Sequence, residues 1–401
     1  MIAIMIDRPG YLKQIEQSFA VHPVTAILGP RQCGKTTLAR RYAEGLKVHL
    51  FDLENPMDAS ALAEPLQALK DLEGLVVVDE IQRRPQIFEI LRVLVDRAGN
   101  PARFLVLGSA SPDLMRGVSE TLAGRVGFVD LSGFHLEEVG DARWKDLWLR
   151  GGFPRSFLAG DDAESARWRE AFVRTFLERD VPQLGITISA ETLRRFWTMV
   201  AHYHGQRWNA AEFARSLGSA EATARHYLDI LVGAYMVRRL PPWHEKLKKR
   251  QVKAPKIYIR DSGILHTLLT IDSLDALRRH PKLGASWEGF ALETILGIAG
   301  SHDAYFWAAH SGPELDLLLF RHGERWGFEI KYADAPRPGR SLEVARADLR
   351  LDRTLIVYPG DRAYALDRDV QVVPLRGIGP LLRGQDPPGR GRDLAGRGEK
   401  G

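Results

Sequence analysis

The chain has 401 residues with a net charge of +5, and domains of about 100–200 residues make two to four domains the expected number. Apolar residues make up 45% and charged residues 27%, a globular balance that excludes disorder for most of the chain. No apolar run approaches the roughly 18 residues of a membrane span, the N-terminus lacks the features of a signal peptide, and a single cysteine excludes an internal disulfide. The composition therefore predicts a soluble cytoplasmic protein that does not associate with membranes.

Residues 1–140 alternate short apolar stretches with helical patterns. Strands are predicted at 24–28, 48–51, 75–78, 104–107 and 127–131. The helix with the clearest apolar spacing is predicted over 86–96. Nearly continuous apolar strands separated by helices indicate a parallel sheet covered on both faces. The sequence therefore predicts an α/β domain in this part of the chain.

A phosphate-binding loop is predicted between the first strand and the helix that follows it. Residues 29–36, Gly-Pro-Arg-Gln-Cys-Gly-Lys-Thr, fit the Walker A pattern G-x-x-x-x-G-K-[ST] in the required strand–loop–helix context. Backbone N–H groups and the helix N-terminus bind phosphates in such loops, Lys35 reaches the β- and γ-phosphates, and the Thr36 hydroxyl ligates Mg²⁺. The Cys33 thiol is expected beneath the phosphates. The predicted nucleotide-binding residues are Gly29, Pro30, Arg31, Gln32, Cys33, Gly34, Lys35, Thr36 and Thr37.

Two adjacent carboxylates follow the predicted strand at 75–78. Asp79 is predicted to hold Mg²⁺, and Glu80 is predicted to orient and deprotonate the attacking water. A carboxylate next to the Walker B aspartate is typical of AAA-like ATPases. Since the chain also lacks the guanine-reading motif N-K-x-D, the sequence favours ATP over GTP.

Two further residues of this domain are candidate catalytic groups. If the strand at 104–107 lies between the two Walker strands, Ser109 at its end is predicted to sense the γ-phosphate or the water. Arg125 precedes the last strand, and it is predicted to stabilise the transition state in its own or a neighbouring subunit. The alternative for Arg125 is an ion pair with a structural carboxylate.

Residues 141–188 have helical spacing and are predicted to form a helical lid or connector, and residues 189–260 predict a separate small module. In that module Asn209 and Ser219 are predicted helix caps, Gly218 makes the turn between the helices, and two short strands flank a basic run. Helix, turn, helix and a hairpin with a basic tip is the order of a winged helix-turn-helix, which favours DNA as a partner. The alternative is a helical lid with a solvated basic loop. The predicted DNA contacts are Lys246, Lys248, Lys249, Arg250, Lys253 and Lys256.

Residues 261–383 predict an α/β domain with a mixed sheet. Asp316 lies in one predicted strand, and Glu329 and Lys331 share one face of the next because side chains alternate along a strand. Glu288, on the preceding helix, adds another carboxylate. Such carboxylates bind Mg²⁺ or Mn²⁺, and the lysine activates water for phosphodiester hydrolysis. The alternative is alternating charge on a solvated sheet face.

Several sequence blocks in this order resemble a known family over nearly the whole chain. They are GPRQCGKTTL, VVVDEIQ, LVLGSAS, SETLAGR, WLRGGFP, APKIYIRDSGIL, SWEGFALE and ELDLLLF…GFEIKYA. The chain resembles prokaryotic AAA-like ATPases known only as ATP-binding proteins, with a C-terminal domain related to PD-(D/E)XK nucleases. The resemblance implies an ATPase core, a winged-helix segment and a restriction-endonuclease-like α/β domain, with Glu288, Asp316, Glu329 and Lys331 at the nuclease positions. Where Cys33 stands the family often has an aliphatic residue, and a thiol there should still allow nucleotide binding.

Three functions are compatible with these motifs. The leading hypothesis is a Mg²⁺-dependent ATPase that binds DNA in DNA processing, repair or defence and carries a metal-dependent nuclease site. The second is an ATP-switched DNA-binding protein whose nuclease fold is inactive, and the third is a signalling ATPase that acts on a protein partner. A homo-oligomer is expected. The last segment, 384–401, consists mainly of Gly, Arg and Pro and is predicted to be disordered.

Overall fold

The computed structural model describes residues 6–109, 120–183, 186, 188–245, 251–367 and 369–384. The described residues divide into two compact units, one within Met1–Arg239 and Ile257–Arg279 and the other within Leu240–Lys256 and His280–Gly401. None of the described helices is long and apolar enough to cross a membrane. Of the tail predicted to be disordered, residues 385–401 lie outside the described residues.

Among the described residues, the first unit contains a five-stranded sheet in which neighbouring strands are parallel. Its strands are β1 Val24–Gly29, β2 Val48–Asp52, β3 Gly74–Asp79, β4 Ala102–Ser109 and β5 Val126–Asp130. Their order across the sheet is β2-β3-β4-β1-β5. Strands β1, β3 and β4 are buried along nearly their whole length, which explains their almost unbroken apolar sequence. The predicted parallel sheet is confirmed, and each strand begins and ends within two residues of its predicted bounds.

Five helices of the described residues belong to this sheet domain. They are α1 Pro9–Val21, α2 Lys35–Ala43, α3 Pro56–Ala61, α4 Pro65–Leu69 and α5 Ile87–Val95. Helix α2 begins after Gly34, whose φ of +99° lies in the left-handed region that glycine favours. Helix α5 buries Leu91 and Leu94 in the same core as Val76 and Phe104 of the sheet. The apolar spacing of residues 86–96 therefore corresponds to a helix that packs on the strands.

The segment after β5 is helical, as the sequence predicts. Its helices are α6 Leu136–Val139, α7 Trp144–Arg150, α8 Pro154–Phe157, α9 Asp162–Thr175 and α10 Val181–Gln183, with a π-helical turn, Phe176–Asp180, between the last two. Ring contacts run along this segment, from Phe153 to Phe172 at 4.6 Å between centroids and from Phe176 to Trp197 at 5.2 Å. These aromatic contacts fix the position of the π-helical turn.

The rest of the first unit combines short helices with a small sheet. The helices are α11 Ala190–His202, α12 Ala210–Leu217, α13 Glu221–Gly233, α14 Ser262–Leu268 and α15 Leu274–Arg279, and the strands are β6 Gln206–Arg207, β7 Val237–Leu240 and β8 Lys256–Ile259, in the order β6-β8-β7. Asn209 caps α12 as predicted, because its side chain accepts the N–H of Glu212. The cap prediction for Ser219 is wrong. Its N–H donates to Ala214 at the end of α12, and Ala220 is the residue that precedes α13.

Two of the sequence blocks, WLRGGFP and IRDSGIL, meet in the first unit. Asp261 caps α14 by accepting the N–H of Ile264, and its other oxygen accepts the N–H of Gly152 at 2.7 Å. Burial raises the pKa of the Asp261 carboxyl, although these backbone hydrogen bonds act to lower it. Because α14 docks here, residues 257–279 belong to the first unit, whereas the sequence predicts a boundary at 261.

Replacing Gly263 with alanine is expected to destabilise the first unit. A Cβ at Gly263 would lie 2.2 Å from the carbonyl oxygen of Arg150, so the backbone must move, at a cost of about 1–3 kcal/mol. The control is Gly10→Ala in α1, where no atom lies within 4 Å and the better helix propensity of alanine should add up to about 1 kcal/mol. Denaturant unfolding measures both changes, and equal free energies for the two variants would contradict the close contact.

The second unit contains a six-stranded mixed sheet among the described residues, which confirms the predicted mixed sheet. Its strands are β9 Ala304–Ala308, β10 Glu314–Arg321, β11 Glu324–Ile330, β12 Arg353–Tyr358, β13 Tyr364–Ala365 and β14 Val370–Pro374, and its helices are α16 Leu283–Ala299, α17 Arg340–Leu349 and α18 Ile378–Leu382. Strands β9, β10 and β11 are antiparallel, and β11, β12 and β14 are parallel. The core contains Trp307, Leu318 and Ile356.

Residues on both sides of the predicted basic tip pack within this second unit. The N–H of Trp243 donates to Phe306 at 2.7 Å, and the N–H of Val252 donates to Ala308 at 3.0 Å. The Trp243 ring also lies 4.6 Å from the ring of Phe320. The flanks of the basic run are therefore bonded to β9 and packed on its sheet, and residues 246–250 between them lie outside the described residues.

Candidate functional site

The loop between β1 and α2 has the geometry of a phosphate-binding loop. The Nζ of Lys35 is almost fully buried and donates to the carbonyls of Gly29 at 3.1 Å and Pro30 at 2.9 Å. Gln32 has a φ of +62°, in the left-handed region that non-glycine residues rarely adopt. The loop thus curls around the lysine, as a Walker A motif requires.

Thr36 and Asp79, which belong to different motifs, are in direct contact. The Thr36 hydroxyl donates to Asp79 Oδ2 at 2.6 Å, and Asp79 Oδ1 accepts the N–H of Glu80. Burial raises the pKa of Asp79, although the hydrogen bond from Thr36 opposes this. A hydroxyl oxygen and a carboxylate oxygen at the mouth of a phosphate-binding loop are the ligands Mg²⁺ takes in such sites, so these residues fit the ion.

Glu80 directly follows β3 and has a strained backbone. Its φ of +55° lies in the left-handed region, and such strain in a non-glycine residue occurs at functional sites. Burial raises the pKa of its carboxyl, and the charges of Lys35 and Arg31 oppose that shift. A carboxylate with a raised pKa beside the phosphate-binding loop has the chemistry of a general base.

Ser109 ends β4, which lies between β1 and β3 as the sensor prediction requires. Its N–H donates to Gln82 Oε1 at 3.2 Å. Its Oγ is buried without a hydrogen-bond partner among the described residues, and buried hydroxyls are normally paired. The strand position is confirmed, and contact of the Oγ with a phosphate or water stays a prediction.

A cavity of about 750 Å³ opens beside the loop and is large enough for a nucleotide. Its lining includes the residues of the phosphate-binding loop and Glu80, together with Phe134, Pro154, Arg155 and Leu158. Arg155 is exposed, and no described residue forms a hydrogen bond or an ion pair with it. Arg155 was not predicted from the sequence, although this residue directly follows the block WLRGGFP.

Arg8 is a second residue that the sequence analysis missed. Its guanidinium is buried, pairs with Glu138 at 2.7 Å, and donates to the carbonyls of Cys33, Ser132 and Gly133. These bonds hold the back of the phosphate-binding loop. No local pattern marks Arg8, because its partners are far away in the sequence.

The Cys33 side chain lies in the interior of the first unit, next to the phosphate-binding loop. Its side chain is fully buried and the thiol donates to the carbonyl of Leu131 at 3.8 Å. Cys33 is also among the residues that line the cavity beside the loop, and the place of its thiol relative to bound phosphates stays a prediction.

Arg125 lies at the opposite edge of the sheet from the phosphate-binding loop. It precedes the first residue of β5, and that strand pairs in parallel with β1 from its start, Val24 with Val126. Its guanidinium forms two hydrogen bonds with Asp96, at 2.7 and 2.9 Å. The arrangement matches the alternative of a structural carboxylate, because a strand length separates Arg125 from the loop in the same chain.

The C-terminal carboxylates come together in the second unit around Lys256. The Nζ of Lys256 lies 3.1 Å from Glu288 and 3.5 Å from Asp316, and it also pairs with Glu314. Only 4% of the lysine side chain is exposed. The prediction that Lys256 contacts DNA is therefore wrong, because its ammonium is buried among carboxylates. Lys253 is exposed, and the remaining predicted contacts, Lys246, Lys248, Lys249 and Arg250, lie outside the described residues.

Glu329 and Lys331 share a strand face as predicted and form an ion pair at 3.3 Å. Asp316 lies beside them, because its Oδ2 accepts the N–H of Ile330. Burial, with the charge of Glu288, raises the pKa of Asp316 to about 8, and burial also raises the pKa of Glu329. The predicted constellation is thus assembled.

The predicted metal ligands in this cluster do not fit a Mg²⁺ or Mn²⁺ site. Among the described residues no group of three or more His, Cys, Asp or Glu side chains is arranged to hold a metal ion. The physical reason lies in the cluster itself, where the Lys256 ammonium occupies the space between Glu288 and Asp316. Glu329 pairs instead with Lys331.

The fold and the first of these sites define a P-loop ATPase of the AAA type. A family model of the AAA domain matches residues 21–140, and two domains of unknown function, DUF8612 and DUF4143, match residues 141–275 and 283–378. The uncharacterized proteins Rv2008c of Mycobacterium tuberculosis and Mb2031c of Mycobacterium bovis are each 50% identical to the chain over 371 residues, 92% of this chain and 84% of theirs. The chain belongs to the same family as these two mycobacterial proteins. The Walker-type ATPase paby2304 of Pyrococcus abyssi aligns at 16% identity over 66% of this chain and 96% of that chain, with a TM-score of 0.47.

Proposed function

We propose that the first unit hydrolyses ATP with Mg²⁺. The observation that carries the proposal is that Lys35, Thr36 and Glu80 line one cavity, with the Thr36 hydroxyl bonded to Asp79. Thr36 and Asp79 would hold Mg²⁺, which neutralises charge on the phosphates when bound. Lys35 binds the β- and γ-phosphates, and Glu80 accepts a proton from the attacking water.

In the same proposal, Arg155 stabilises the transition state, which is the role that the sequence predicted for Arg125. It lines the cavity and has no partner among the described residues, whereas Arg125 is bonded to Asp96. A free guanidinium beside the phosphates stabilises charge that develops during phosphoryl transfer. Arg155 is a candidate for that cation.

Arg155→Ala is expected to lower kcat for ATP about 10²-fold, because one stabilising donor is lost. Arg125→Ala is expected to leave kcat unchanged, since its guanidinium pairs with Asp96 at the other edge of the sheet. Steady-state phosphate release from both variants measures the contrast. A fall for Arg125→Ala alone, in an oligomer, would instead support a contribution from a neighbouring subunit.

We further propose that the ATPase binds DNA without cutting it. The helices α12 and α13, followed by β7, a basic run and β8, support a winged helix-turn-helix. The ion pairs of Lys256 favour a restriction-endonuclease-like domain that binds and does not cleave, because the lysine occupies the place between the carboxylates. A signalling ATPase with a protein partner remains the competing function.

Reversing the charges of Lys248, Lys249 and Arg250 is expected to weaken DNA binding equally for all sequences. Each lost phosphate contact should reduce the slope of log K against log salt by about 0.9. Titrations of labelled linear and branched DNA at several salt concentrations measure the slope, and ATP turnover without DNA is the control. Wild-type protein that binds no DNA at low salt would favour the protein-partner function, and metal-dependent cleavage would contradict a non-cleaving domain.

A further inference from the structure

Arg31, in the phosphate-binding loop, lies among three carboxylates of the first unit. Its Nη1 donates to Asp180 Oδ1 at 2.6 Å, and its Nη2 lies 3.8 Å from Glu80 and 3.4 Å from Glu54. The side chain of Asp180 is 9% exposed and that of Arg31 is 17% exposed, so water screens this pair only weakly. A planar guanidinium that meets two carboxylates through different nitrogens restricts the positions of both.

Asp180 has a fixed position because of the structure around it. It ends the π-helical turn Phe176–Asp180, a rare helix form that is frequent at functional sites. Leu177 in the same turn and Val181 directly after Asp180 are buried, and the Phe176 ring packs against Trp197. Asp180 therefore acts as a rigid anchor for Arg31, not as a surface charge that follows it.

Gln82 contacts the same oxygen of Glu80, Oε2, that Arg31 contacts. Gln82 Nε2 donates to Glu80 Oε2, and Gln82 Oε1 accepts the N–H of Ser109. Arg31 and Gln82 thus both hold Glu80 Oε2, and among the described residues Arg31 is the one that connects this oxygen to the helical segment. Loss of the anchor at Asp180 would leave Arg31 free to turn away from Glu80 or toward Glu54.

We propose that Asp180 is a positioning residue for ATP hydrolysis, which acts by holding Arg31 so that Arg31 orients the Glu80 carboxylate. The inference rests on the proposed ATPase function. It gives the helical segment at 141–188 a defined part in turnover beyond that of a lid or connector. Because Asp180 acts through Arg31 on the group that activates water, its loss changes the rate of the chemical step and leaves nucleotide affinity unchanged.

The test measures kcat and KM for ATP with Mg²⁺, and the Kd of a fluorescent ATP analogue, on full-length variants. Asp180→Asn is expected to lower kcat about 10–10²-fold, the effect of a misplaced catalytic group, with Kd within twofold of wild type. Asp180→Glu keeps the charge and should recover part of the rate. Glu178→Gln is the matched control, since Glu178 pairs with Arg174 on the surface and its loss should change nothing.

A double-mutant cycle separates positioning from a structural role. Arg31→Met with Asp180→Asn should turn over ATP at the rate of Arg31→Met alone, because Asp180 acts through Arg31. Losses that multiply, a Kd that rises as kcat falls, or full activity of Asp180→Asn in a wild type that hydrolyses ATP would overturn this inference alone. A wild type that binds ATP and never hydrolyses it would overturn the proposed function and this inference with it.

Discussion

Glu80→Gln is expected to bind ATP like the wild type and to hydrolyse it about 10²–10⁴-fold more slowly, the usual effect of losing a general base. The amide has the shape of the carboxylate but cannot accept the proton of the attacking water. Burial raises the pKa of Glu80, which suits it to that transfer. Single-turnover hydrolysis, together with binding of a fluorescent ATP analogue, measures the two properties separately.

Lys35→Ala provides the contrast to Glu80→Gln. In the proposed ATPase the Lys35 ammonium would bind the ground-state phosphates, so its removal should abolish ATP binding or hydrolysis, whereas Glu80→Gln should spare binding. Gly10→Ala, in an exposed part of α1, is a control for losses of activity that arise during preparation of a variant protein. Normal hydrolysis by Glu80→Gln would remove Glu80 from the catalytic role.

Lys256→Met is expected to destabilise the second unit by about 3–5 kcal/mol, the range for removing one partner of a buried ion pair. Methionine has a similar length but leaves Glu288, Glu314 and Asp316 without the ammonium that they surround. Glu288 and Glu314 then lose their positive partner in a poorly solvated place. Denaturant unfolding of full-length protein, followed by the tryptophans, measures the loss.

The control for Lys256→Met is Lys253→Met, three positions earlier in the same basic run. Lys253 is exposed, so its replacement should change the free energy of unfolding by no more than about 0.5 kcal/mol. Adding Glu288→Gln to Lys256→Met should recover part of the stability, because one carboxylate that the Lys256 ammonium paired with is removed. Equal stability of the two lysine variants would show that the carboxylates do not depend on Lys256.

The parts of the nucleotide site that could be predicted are those carried by contiguous sequence. The Walker A spacing fixes the backbone of the loop locally, and the apolar strand before Asp79 and Glu80 places both at the carboxyl edge of a parallel sheet. In the second unit, strand alternation brought Glu329 and Lys331 to one face, and Asp316 lies beside them. For these residues, the Walker motifs and the two-residue period of a strand were sufficient to predict the placement.

Contacts between distant residues could not be predicted in the same way. Lys256 looks like its neighbours in a basic run, and nothing local shows that its side chain folds in toward carboxylates on α16 and β10. Arg8 meets Glu138 across 130 residues. The contact of the Cys33 thiol with Leu131 could not be predicted, because the pattern fixes the backbone of the loop and not the direction of a side chain. Arg125 has no local signal that separates a catalytic arginine from one that pairs with Asp96.

The compact units are discontinuous in sequence, and this governs how the chain can be divided and synthesised. The chain passes from one unit to the other after Arg239, after Lys256 and after Arg279. A fragment that starts at 261 would carry the carboxylates of the second unit without Lys256 and without the strand partners of β9. During synthesis the ribosome delivers residues 240–256 before any of the sheet that they complete, so this stretch must wait for its partners while the first unit closes around residues 257–279.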